Sequence, residues 1–95
     1  MPVRYTILME NARRGLKFWM KREKDSISVQ VIARGVPELD VTYTDKEQAE
    51  RDAAEFRSEN ARNLEANKWW RRQNRAMLET FSIVEVNQVV DWGRM

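Results

Sequence analysis

Thr44-Asp45-Lys46-Glu47-Gln48-Ala49-Glu50 divides the chain into two kinds of sequence. A Thr followed three residues later by Glu is the pattern of a helix capping box. The Thr44 hydroxyl is expected on the Glu47 backbone N–H, with the Glu47 carboxylate reaching back to Thr44. Asp45 and Glu47 also place negative charge at the positive end of the helix dipole. From here to Leu78 there is no Pro and no Gly, so helix is the expectation downstream.

Upstream the period is two. Val3, Tyr5, Ile7 and Met9 alternate with Arg4, Thr6, Leu8 and Glu10. Leu16, Phe18 and Met20 alternate with Lys17, Trp19 and Lys21, and Ile27, Val29, Val31 and Ala33 with Ser28, Gln30 and Ile32. The segments are separated by turn sequences around Asn11 to Gly15 and Glu23 to Asp25, Gly15 being suited to a positive φ. Residues 1–43 therefore read as an antiparallel three-stranded meander with one apolar face. Pro37 interrupts it, leaving Leu39 to Tyr43 as a short edge strand or a strand continuing after a kink.

Downstream, an unbroken helix over residues 44–78 would be roughly 52 Å long, against about 30 Å for a domain of this size. A three-four spacing begins apolar with Ala49, Ala53 and Phe56, then meets Asn60, Asn63, Asn67 and Asn74. So many amides disfavour a long dimeric coiled coil. The expectation is a first helix over about 45–58, a break within 60–67 and a second helix over about 64–78. A continuous helix would instead favour an oligomer, so monomer and homodimer both stay open. Phe81 to Val86 reads as a returning strand within the C-terminal segment 79–95. The fold class is thus α+β in a single domain: an antiparallel sheet of three or four strands with one long or two shorter helices on one face.

The chain has 95 residues and contains neither Cys nor His. Disulfides, structural zinc, and Ser-His or Cys-His catalysis need those residues. Glu65 and Lys68 have no second acid spaced beside them for a two-metal site, and no glycine-rich phosphate loop occurs. Ribosome-dependent mRNA-cleaving toxins of similar length place helices ahead of the main sheet, the reverse of this order. The expectation is a non-enzymatic protein with no cofactor and no metal. No stretch is apolar enough for a membrane span and no signal-peptide pattern opens the chain, which leads to a soluble cytoplasmic protein.

Charge is uneven although the net is only +2. Residues 1–24 carry seven basic side chains against two acidic, and residues 38–59 eight acidic against three basic. Two constellations stand out as partner-binding candidates. The first is Trp69, Trp70, Arg71, Arg72 and Arg75: adjacent residues on a helix point about 100° apart, so both Trp cannot face one core. An exposed Trp beside Arg suits a protein hot spot, or base stacking with phosphate contacts. The second is a basic hairpin, with Arg13 and Arg14 in the turn and Lys17, Lys21, Arg22 and Lys24 around it, whose Trp19 would lie outward between Lys17 and Lys21. The plainer alternatives are packed Trp residues, solvated Arg residues, and a covered sheet face. Glu47, Glu50, Asp52, Glu55 and Glu59 read as a solvated helix face.

Three strands followed by Thr44-Asp45-Lys46-Glu47-Gln48-Ala49 resemble the small arm-site DNA-binding domains of tyrosine recombinases, which have a three-stranded sheet and then a helix opening Thr-x-x-x-x-Ala. The resemblance covers residues 3–58 and implies DNA binding; residues 60–95 have no counterpart in it. In size and composition the chain is also similar to phage or mobile-element accessory proteins, including antagonists of host systems. The leading expectation is a protein-binding regulator or inhibitor. The alternative is a module binding DNA or RNA.

Overall fold

The alternating segments form strands, and the described part of the glycine-free segment, up to Ala66, forms a helix. The computed structural model describes residues 3–11, 15–32, 35–66 and 79–91. Strands β1 (Arg4–Asn11), β2 (Leu16–Arg22) and β3 (Ile27–Val31) make the meander, and helix α1 (Lys46–Ala66) follows. Strand β4 (Thr80–Val86) returns beside β1, giving an antiparallel sheet in the order β3-β2-β1-β4. The fold is α+β, as expected. Gly15 in the first turn has φ +66°, a conformation that L side chains rarely adopt.

The helix differs from expectation at both ends. Its cap is Asp45, whose Oδ1 accepts the Glu47 N–H at 2.9 Å; Thr44 is exposed and lies one residue outside. Asp and Thr both cap well, and here the chain enters the helix one residue later than the box pattern implied. α1 then runs unbroken through Asn60 and Asn63 to Ala66, so it does not end near Ser58. Asn60 is half-buried and Asn63 exposed, so the helix continues without burying a row of amides. Residues 67–78, where a second helix was expected, lie outside the described residues.

The core forms where α1 crosses β1 and β4. Ala49, Ala53 and Phe56, four and three residues apart, make one helical stripe. They pack on Ile7, Tyr43 and Phe81, with Tyr5, Met9, Met20 and Ile83 at the margin. The Phe56 and Phe81 rings stack at 5.7 Å between centroids and 15° between planes. The two alanines let the helix backbone come close to the sheet.

The opposite face of the sheet is also covered, which one-sided alternation did not foretell. Leu39–Val41 is a turn of 3-10 helix, not a strand, and only Tyr43 bridges to β1, at Tyr5. Side chains from that face hold the crossing segment down. Thr6 Oγ1 donates to Val41 O at 2.7 Å. The Gln30 amide donates to Val36 O and accepts from the Glu38 N–H at 2.6 Å. Val90 joins it through Leu39 N to Val90 O and Val90 N to Pro37 O. Thr6 and Ile7, adjacent in β1 and pointing to opposite faces, are therefore both fully buried.

Candidate protein-binding edge

The segment covering the second face decides the first candidate constellation. Trp19 is only 7% exposed and so does not stand outward between lysines. It lies beside Gly35, Val36, Pro37 and Val86, because the chain after β3 crosses its face. Lys17 remains exposed, while Lys21 is half-buried, 3.9 Å from Glu23 and 5.6 Å from the centre of the Tyr43 ring. Arg13 and Arg14 lie outside the described residues, as do Trp69, Trp70, Arg71, Arg72 and Arg75.

The acidic helix face is not simply solvated. Arg22, closing β2, donates to Glu55 at 3.0 Å and to Glu59 at 2.6 Å. Its guanidinium lies 4.7 Å from the centre of the Phe56 ring. The hydrogen bond to Glu59 outweighs desolvation and raises the Arg22 pKa above its ordinary value. Asp52 is buried, accepting the Tyr43 hydroxyl at 2.7 Å and the Gln48 amide at 2.9 Å. Tyr43 in turn accepts the Arg22 N–H at 2.9 Å. Burial first, then the bond to Asp52, raises the Tyr43 pKa, so this phenol keeps its proton and serves as a strut between sheet and helix. An open cleft of about 490 Å³ lies beside this group, between Arg4, Lys24 and Gln48. Among the described residues no three acidic groups come together as a metal site.

The exposed chemistry is on β3. Its cross-strand partners place Val31 opposite Phe18 and Val29 opposite Met20, hence on the face that carries α1. A sheet of four strands spaced about 4.8 Å apart is wider than one helix of about 10 Å diameter can cover. α1 lies over β1 and β4 and reaches β2. The apolar side of β3 is left in solvent: Ile27 is 46%, Val29 52% and Val31 61% exposed, with Leu16 of β2 beside them at 41%. These residues were expected in the core face, and nothing local in the sequence marks them as uncovered, because that depends on how far one helix reaches across the sheet.

Backbone groups point the same way. The Glu23 N–H bonds Ser26 O and the Ile32 N–H bonds Lys17 O, so the pairs between them alternate in a fixed phase. Lys21↔Ser28 and Trp19↔Gln30 are the hydrogen-bonded pairs, whereas Ile27, Val29 and Val31 turn their N–H and C=O groups away from β2. Those groups have no hydrogen-bond partner among the described residues. On the other edge the Arg57 guanidinium donates to Phe81 O of β4 at 2.7 Å and 3.2 Å, and Glu85 adds a charge to that strand. No Pro, charge or bulge guards β3.

The chain matches no known protein family, no curated protein and no solved structure. The resemblance to recombinase arm-site domains accordingly stays one of element order. Among the described residues no helix is long and apolar enough to cross a membrane.

Proposed function

We propose that this chain is a non-enzymatic protein-binding module that takes an extended segment of its partner onto the outer edge of β3. It would work in the cytoplasm as a regulator or inhibitor, in the manner of small phage or mobile-element accessory proteins. The observation that carries the reading is the coincidence, on one five-residue strand, of outward backbone groups and exposed β-branched side chains. Strand addition uses both: main-chain hydrogen bonds supply affinity and alternate side chains supply selectivity. The absence of cysteine suits a reducing compartment.

Nucleic-acid binding, the alternative, loses its aromatic partner on the hairpin because Trp19 is packed under the 35–37 segment. It then depends on Lys17, which stays exposed, with Arg13, Arg14 and the Trp69 to Arg75 segment. One titration separates the two readings. Backbone amide signals are followed by NMR while extended peptides alternating Val with Thr or Ser are added, and then duplex and single-stranded DNA at physiological salt. Shifts centred on Ile27, Val29 and Val31 with peptide are expected. Shifts confined to Arg13, Arg14, Lys17 and 69–75 with DNA, and none with peptide, would turn the reading to nucleic acid.

A further inference from the structure

We infer that the strand completing the β3 edge comes from a second copy of this chain, paired antiparallel about a two-fold axis through Val29; this rests on the reading of β3 as a protein-binding edge. The argument is one of self-complementarity, which a two-fold interface demands. Read in either direction, Ile27-Ser28-Val29-Gln30-Val31 is apolar, polar, apolar, polar, apolar. Centred on Val29, Ile27 meets Val31 of the copy, Val29 meets Val29, and Ser28 meets Gln30. The residues that face each other are then those whose N–H and C=O point outward. All six outward groups of each strand find partners in narrow hydrogen-bonded pairs. A slip by one residue would set outward groups against inward ones and apolar side chains against polar.

Charge does not oppose the pairing, because β3 carries none. Directly opposite residues share a face, so the two sheets join into one of eight strands with both helices on the same side. Between the helices lies a trough of Ile27, Val29, Val31 and Leu16 from each copy. A five-residue edge buries little area by itself, which places the dimer among weak, concentration-dependent associations.

The test is sedimentation equilibrium of the full chain, from micromolar to millimolar, combined with cysteine variants of a chain that has no cysteine of its own. The mass is expected to rise from 11.4 kDa toward twice that value. Val29→Lys sets two like charges opposite each other and should weaken the dimer at least about tenfold. Val29 is exposed, so the variant should keep the native circular dichroism. Val29→Cys should cross-link to its own copy under mild oxidation, since paired Cα atoms lie about 5.5 Å apart. Val31→Cys alone should not, being about 14 Å out of register with itself.

A dimer that survives Val29→Lys, or that cross-links through Val31→Cys in preference to Val29→Cys, overturns the inference. So does a wild-type chain that stays at 11.4 kDa throughout. In that last case, peptide-induced shifts at Ile27, Val29 and Val31 would still leave β3 as a protein-binding edge with a foreign strand. Monomeric behaviour with no peptide response would remove both proposals together.

Discussion

Tyr43 joins three parts of the molecule: its hydroxyl ties β2 by way of the Arg22 N–H and α1 by way of Asp52, and its ring packs in the core. Tyr43→Phe keeps the ring and removes the oxygen. The buried Asp52 Oδ2 and the Arg22 N–H each then lose their protein partner, at a cost of about 1–3 kcal/mol in urea-unfolding stability. The pH dependence follows from linkage. The folded-state pKa of Tyr43 is raised, so the stabilising term is whole below the unfolded value of ~10 and is lost as pH rises past it. The wild-type urea midpoint should therefore fall more steeply above about pH 10 than that of Tyr43→Phe. Equal slopes would show that the phenol ionises alike in both states. Tyr43 did not stand out in the sequence, and Arg22 did so only as one cation of the basic hairpin, not as a partner of the helix. Each is an ordinary strand residue until the helix is laid across it, and the partners Asp52 and Glu59 are 9 and 37 residues away.

At the scale of elements, strands and helix were legible because alternation and the absence of Pro and Gly are local properties. Which faces would be covered was not, because that depends on the width of one helix and the path of an irregular segment. Alternation put Trp19 on a solvent face and Val29 on a core face; both keep their faces, but Trp19 is covered and Val29 is not. Part of the coding for this lies in Gln30 of β3, whose side chain bonds the backbone of Val36 and Glu38 in the crossing segment. Gln30→Ala should release that segment, with a loss of about 1–2 kcal/mol in thermal unfolding. The NMR signal of the Trp19 indole should move while those of Phe56 and Phe81, on the other face, stay in place. If the Phe signals move as much as Trp19, the two faces are not separable and the description of the crossing segment as a distinct cover is wrong.

For the whole molecule, the two covers meet on β1, which pairs with strands on both sides and is buried on both faces. β3 is the contrary case: one neighbour, one covered face, and outward amides in solvent. Resistance to opening follows buried apolar contact and hydrogen bonding, so exchange of backbone hydrogens should run in a fixed order. Ile7 and its neighbours in β1 should exchange only through global unfolding, with α1 around Ala53 close behind. The outward amides of Ile27, Val29 and Val31 should exchange first at low protein concentration. Those same amides are the ones a second copy would engage, whereas the amides of Ser28 and Gln30 already bond to β2. Raising the concentration should thus slow exchange at residues 27, 29 and 31 and leave 28 and 30 nearly unchanged. That every-other-residue pattern is specific to pairing along the edge. A uniform slowing across 27–31 would instead indicate burial of the strand by a surface that forms no ladder with it, and would separate the exposed side chains from the outward backbone as the origin of any association.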